Sequence, residues 1–248
     1  MDETSSVHGS MRLSLICFSL ITFTTALQAA TVIGSVNVVT DSKHASPKSR
    51  SLTDIVVWLR PLSPMSLSLQ NAEVSHATLL QKDKMFHPHV LAVRVGSVVD
   101  FPNADPIFHN AFSNYDGQIF DVSLYPPGTS RSVRFRRPGI VRVFCNIHPL
   151  MSAVIVVLET PYFTKLDANG RFRIEGVPPG GYELQSFDER MTGTAPPSPV
   201  VTVRASDATV SVKPIEMSEA GYIDVPHRNK YGQPYPVKSP ADYGLPPG

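Results

Sequence analysis

Ile140-Val141-Arg142-Val143-Phe144-Cys145-Asn146-Ile147-His148-Pro149-Leu150-Met151 runs from a strand-like segment into a short loop. Side chains of a strand alternate between its two faces. Val141, Val143 and Cys145 therefore share one face, and Arg142 and Phe144 share the other. The apolar companions of Cys145 mark its face as the core face, so the sulfur points into a dry interior. Pro149 fixes its own φ and restricts His148 to extended backbone, which helps a short loop swing His148 and Met151 back over the sulfur.

The spacing Cys-x2-His-x2-Met supplies a thiolate, an imidazole and a thioether. With one more histidine, these are the ligands of an electron-transfer copper site, a trigonal His2Cys set with a weak axial Met. His109, in Phe108-His109-Asn110-Ala111-Phe112-Ser113, is the candidate for the missing ligand. It follows a second strand-like run, Val98-Val99-Asp100-Phe101-Pro102-Asn103. If the two runs are neighbouring strands, four ligands converge. Taken singly, each residue has a plainer reading: a lone buried Cys behaves as a small hydrophobe and a Met usually packs a core. Their order, spacing and strand-to-loop setting favour a metal.

The ligand loop Cys145 to Met151, including the His148-Pro149 dipeptide, resembles that of the short-loop, amicyanin-type cupredoxins. The resemblance covers roughly residues 73 to 158. It includes Phe86-x-Pro88, Leu91-x-Val93-x-Val95-Gly96-x-Val98, Asn103-x-Asp105, His109-Asn110, Tyr125-x-x-Gly128 and Phe135-x-x-Pro138-Gly139. It implies a Greek-key β-sandwich binding one type 1 copper, with His109, Cys145 and His148 as strong ligands and Met151 as the axial one. Asn110 resembles the residue that ties the two ligand loops together by hydrogen bonds. The region is also similar to plastocyanin-like and methylamine-utilisation-type proteins.

A formal net charge of +1 and 17% charged residues give no basic surplus of the kind nucleic acid demands. Twenty-three prolines and fifteen glycines favour an all-β, turn-rich chain of one or two domains. Met11-Arg12, the uncharged run Leu13 to Leu27, and Gln28-Ala29-Ala30 read as a secretory signal peptide over residues 1 to 30. Asp2 and Glu3 do not suit a basic leader, so Met11 is the expected start. The apolar run is short for a spanning helix, and Cys17 lacks the small residues of a lipidation site. Cleavage leaves Cys145 as the single cysteine of a periplasmic or secreted protein, where a lone thiol has no disulfide partner. A metal explains why it is tolerated.

Residues 31 to 72 hold two strand-like runs, Thr31 to Val39 and Asp54 to Leu59, joined by a polar connection and followed by a Pro- and Ser-rich linker. Strands are expected at 77 to 83, 90 to 95, 97 to 102, 132 to 136, 140 to 145 and 152 to 158, with loop or a small helix between His109 and Arg131. Residues 159 to 216 change pattern: Asn169-Gly170 between alternating runs is a strong hairpin signal. The loop lacks the alternating carboxylates and closing Glu of a calcium loop. This region resembles the carboxypeptidase regulatory-like, transthyretin-like β-sandwich, whose opening strands are similar to Gly34-Ser35-Val36 and Ile55-Val56-Val57. Two arrangements follow. Either residues 31 to 62 complete that module with the copper domain inserted, or they extend the cupredoxin sheet. Residues 217 to 248 read as a Pro- and Tyr-rich tail that wraps the surface or stays disordered, with no special role for Tyr222, Tyr231, Tyr235 or Tyr243.

His87 and His89 would face one side of a strand but offer too few ligands for a second metal; the Pro88-His89 pair hints at a structural or outer-sphere role. Arg131, Arg134, Arg136, Arg137 and Arg142 form either a solvated surface or a docking patch for an acidic redox partner. There is no Ser/His/Asp constellation, phosphate loop or Cys-x-x-Cys, so the chain is expected not to be an enzyme. The leading expectation is an exported blue-copper one-electron carrier that meets a redox partner protein. The alternatives are a copper carrier without electron transfer and a β-sandwich interaction module.

Overall fold

The computed structural model describes residues 29–40, 51–63, 74–114, 117–223, 225 and 227–235. The expected leader apart from Ala29 and Ala30, the polar connection apart from Ser51, the linker beyond Ser63, Tyr115, Asp116 and Tyr243 lie outside them. The described chain is built from strands, with one 3-10 turn at Leu52–Asp54. In order these are β1 (Ala30–Val39), β2 (Val56–Pro61), β3 (His76–Thr78), β4 (Leu80–Lys82), β5 (Met85–His87), β6 (Val90–Arg94), β7 (Val98–Pro102), β8 (Phe112–Ser113) and β9 (Phe120–Asp121). They continue with β10 (Ser130–Arg134), β11 (Gly139–Phe144), β12 (Ser152–Leu158), β13 (Phe163–Lys165), β14 (Arg171–Val177), β15 (Gly180–Phe187), β16 (Val200–Val203), β17 (Thr209–Ser211) and β18 (Ile215–Ser218).

The central strands form a sandwich. One sheet has the order β6-β12-β11-β8-β9 and the other β10-β7-β3, with the β4-β5 hairpin beside them. Between them lies a core that includes Phe101, Tyr125, Phe135, Val141, Val143, Cys145, Met151 and Ile155. The outer strands form a second sandwich around a separate core that includes Val32, Val57, Leu59, Phe172, Tyr182 and Leu184. Here β1 pairs with β14, β17 and β18, while β2 pairs with β13 and β15. Neither β1 nor β2 pairs with a strand of the central sheets, so the first two strands do not extend them. The Asn169-Gly170 signal is a turn in which the Asp167 carboxylate accepts the backbone N–H of Asn169 and of Arg171. That carboxylate is engaged by its own loop.

β12 shows how the sandwiches meet. Its run Ala153-Val154-Ile155-Val156-Val157-Leu158 is apolar without alternation, as expected of a strand covered on both faces. Ala153, Ile155 and Val157 enter the central core. Val154, Val156 and Leu158 join Val56 and Val90 in a seam that takes in Trp58, Phe163 and Phe187. Each fully buried valine there contributes about 1.5–3 kcal/mol relative to exposure.

Three details differ from the sequence-based expectation. The run 77 to 83 is broken into β3 and β4, and β4 turns into β5 through Asp83 and Lys84, both at positive φ. Between His109 and Arg131 the described residues hold β8 and β9 and no helix. Finally, Val98–Pro102 is not the neighbour of β11, because β7 lies in the opposite sheet; β8 is the neighbour, through Phe112 and Phe144.

Candidate metal centre

Cys145 follows the last residue of β11, and its alternation is as the sequence predicts: Val141, Val143 and Cys145 are fully buried while Arg142 is exposed. The loop after it is closed by its own backbone. Cys145 N–H donates to the Met151 carbonyl (3.1 Å), and Met151 N–H donates to the His148 carbonyl (3.0 Å). This tight closure brings His148 Nδ1 to 3.5 Å from Cys145 Sγ. From the facing loop before β8, His109 Nδ1 lies 3.8 Å from the same sulfur. The ligand atoms of His109, Cys145 and His148 all lie within 4.8 Å of one another. Three donors about 2.0–2.3 Å from one ion in a trigonal plane are separated by about 3.6 Å, so these spacings fit a single first-row metal. Met151 is fully buried in the same core.

His109 is fully buried and held on both sides. Its backbone makes a bridge with Tyr125: Tyr125 N–H donates to the His109 carbonyl (2.9 Å), and His109 N–H to the Tyr125 carbonyl (3.3 Å). Its Nε2 lies 2.7 Å from Asp105 Oδ2. The same carboxylate accepts Asp83 N–H (2.7 Å) and Lys84 N–H (2.9 Å), and so caps the turn between β4 and β5. Burial works to raise the Asp105 carboxyl, but the Lys84 amide, the His109 ring and the Asp83 amide outweigh it and hold the group below the ordinary carboxylate range. An ionised Asp105 keeps the His109 proton on Nε2 and leaves the Nδ1 lone pair facing the sulfur.

The loop of His109 and the loop of Cys145 and His148 are tied by Asn110, whose Oδ1 accepts Asn146 N–H at 2.6 Å. Burial pushes the Cys145 thiol up, against the pull of the Asn110, Ile147 and His148 amides. A bound cation reverses that balance, since a coordinating thiol is deprotonated outright. His148 is half-buried; Phe108, next to His109 in sequence, is 53% exposed, and Leu150, two residues past His148, is 71% exposed.

Among the described residues, His87 and His89 fall outside this cluster. His89 faces the second sandwich: its Nε2 lies 2.5 Å from Glu189 and its Nδ1 3.2 Å from the Ser152 carbonyl. The arginines divide. Arg131, Arg134 and Arg136 are exposed along β10 and just beyond it, whereas Arg142 acts on Glu189. Sequence reading gave no role to Asp105 beyond the Asn103-x-Asp105 pattern, nor to Tyr235, whose hydroxyl donates to the Cys145 carbonyl at 2.7 Å. A carboxylate four residues before a candidate ligand histidine is the one signal that could have singled out Asp105.

The central region is thus an all-β sandwich with a His-Cys-His trio of which His109 and Cys145 are buried and His148 half-buried. No protein-family model matches the chain. A curated relative, the methylamine utilization protein MauL of Methylorubrum extorquens, is 37% identical over 62 residues, which are 25% of this chain and 54% of the relative. The chain thus spans about half the length of that relative. Similar solved structures include a purple cupredoxin from Nitrosopumilus maritimus, 20% identical over 34% of this chain and 99% of that one, with a TM-score of 0.30. A reduced amicyanin mutant is 18% identical over 41% of this chain and 98% of that one, with a TM-score of 0.32. The copper-containing nitrite reductase of Thermus scotoductus is 22% identical over 50% of this chain and 28% of that one, with a TM-score of 0.34.

Proposed function

We propose that this protein is an exported one-electron carrier of the blue-copper type, with His109, Cys145 and His148 as strong ligands and Met151 as the axial one. The observation that carries the reading is a buried thiol with two imidazole Nδ1 atoms at 3.5 and 3.8 Å. Copper bound there supplies a Cu(I)/Cu(II) couple whose potential the axial ligand and the surroundings of the sulfur tune. The protein's part is to hold the donors still. Asp105 fixes the His109 ring, Asn110 couples the loops, and the bonds among Cys145, His148 and Met151 keep the second loop closed. Half-buried His148 is the exit toward a redox partner protein, and exposed Phe108 and Leu150, neighbours in sequence of the two histidine ligands, supply apolar surface. Apolar surface of that kind suits brief contact and fast release.

Metal analysis and visible absorption of the exported protein test this reading. Copper at one equivalent with intense visible absorption and a reversible redox wave is expected. Cys145→Ser should bind without that colour. A coloured serine variant would remove the assignment, and a copper protein without a reversible wave would favour a carrier that transfers no electrons.

A further inference from the structure

The segment 227–235 comes after the second sandwich in sequence yet lies against the start of the Cys145 loop and the β8-β9 hairpin. Its contacts are specific. Tyr235 donates its hydroxyl to the Cys145 carbonyl at 2.7 Å. Lys230 N–H donates to Asn146 Oδ1 (2.9 Å), and the Lys230 carbonyl accepts Asn114 Nδ2 (2.8 Å). Lys230 Nζ pairs with Asp121 at 2.8 Å, and Asp121 Oδ1 in turn accepts Asn110 Nδ2 at 3.4 Å. The His227 ring stacks on Phe144 with centroids 4.3 Å apart and meets Tyr235 edge-on at 5.2 Å; the Tyr235 hydroxyl is 3.3 Å from His227 Nδ1. The segment is shaped by its own turn, in which Asn229 Oδ1 accepts the N–H of Tyr231 and of Gln233.

These contacts have a common target. Phe144 points away from the central core, on the same outer face as exposed Arg142, and yet is only 8% exposed, because Phe112 and His227 cover it. The Cys145 carbonyl and the Asn146 side chain would otherwise bond to water. Both are taken up by the tail, at the residue that carries the thiol and the one after it. The contacts to Asn114 and Asp121 reach the β8-β9 hairpin, and Asp121 in turn accepts the side-chain N–H of Asn110, whose Oδ1 takes the Asn146 N–H.

We propose that residues 227–235 are a strap that holds the Cys145 to Met151 loop in its ligand-presenting geometry, with Tyr235 as the positioning residue and His227 orienting it. For what the loop presents, the proposal rests on the copper reading; that the loop is held does not. The strap fixes the Cys145 carbonyl and the side chains on either side of it before a metal arrives. It also keeps water off the outer face behind the sulfur. Each neutral hydrogen bond contributes modestly, and two bonds and a stacked ring act on adjacent residues.

The test uses the full chain, Tyr235→Phe, and a chain stopped after Tyr222. Hydrogen exchange is followed at the amides of Cys145, Asn146 and Met151 in metal-free protein, with β15 as an internal reference. Tyr235→Phe is expected to speed exchange in the loop several-fold, and the shortened chain by about tenfold or more, with β15 unchanged. In the copper-loaded proteins the visible band and the midpoint potential should shift in the same order. Loop exchange equal to that of the full chain in both variants overturns the strap, and so does an unmoved band and potential in both. Failure of the full chain to colour with Cu(II) counts against the copper reading alone, and the metal-free exchange then decides the strap.

Discussion

Asp105 Oδ2 lies 2.7 Å from His109 Nε2, and the same carboxylate caps the Asp83-Lys84 turn through two backbone amides. One side chain therefore orients a candidate ligand and closes a hairpin from another part of the chain. Asp105→Asn leaves a single acceptor oxygen for three donors. Metal affinity should fall about 10–100-fold, and stability by about 1–3 kcal/mol from the orphaned amide. Competition titration and denaturant unfolding measure the two effects; unchanged affinity would show that the His109 ring needs no outer partner.

Met151 is fully buried, so its replacement tests packing and tuning together. Met151→Leu nearly conserves volume and should cost less than about 1.5 kcal/mol. Losing a thioether donor favours the reduced ion, and the midpoint potential should rise while the visible colour persists. Voltammetry reads the change. A potential identical to wild type would make Met151 a core residue and nothing more.

The His89–Glu189 pair joins the two sandwiches and should make their union depend on pH. The hydrogen bond to Glu189 raises His89 above its ordinary 6.5 despite burial, with Asp54 adding to it. Burial opposes ionisation of Glu189, but His89, Arg142 and Arg190 hold it below its ordinary 4.5. The His89 contribution is complete below 6.5 and is lost as pH rises through the raised value; the Glu189 contribution is present above 4.5 and is lost as pH falls through the lowered one. Stability should therefore decline from mildly acidic to alkaline pH, and Glu189→Gln should flatten that slope. Unfolding curves across pH 6 to 9, taken in about unit steps, decide it.

A fragment of residues 159–235 lacks β1 and β2, which pair with β13, β14, β15, β17 and β18. It should not fold by itself, since both sheets lose a strand flanked by others. A dispersed amide spectrum from that fragment would contradict this.

What the sequence made legible is what local chemistry writes. Alternation put Cys145 on the core face, and loop closure brought His148 to it. Other features depended on distant partners. Period-two alternation assigns faces but not neighbours, so it left open whether the run before His109 stands beside β11; β8 stands there. The β4-β5 turn lacks the usual Asn-Gly signal because Asp105, far along the chain, supplies the stabilisation. The tail has no periodicity, and the meaning of Tyr235 comes only from the carbonyl it meets.

The pairing of β1 with β18 spans nearly the whole described chain: Asn37 Nδ2 donates to Glu216 Oε1 across 179 positions. During synthesis the opening strands must wait, unpaired, while every residue of the central sandwich is made. That sandwich has its partners close by and can assemble first, whereas contacts of such separation form slowly. The last strands to emerge thus close the outer sheets around a finished inner unit, and exposed strand edges during that interval are where a folding helper or a protease would act.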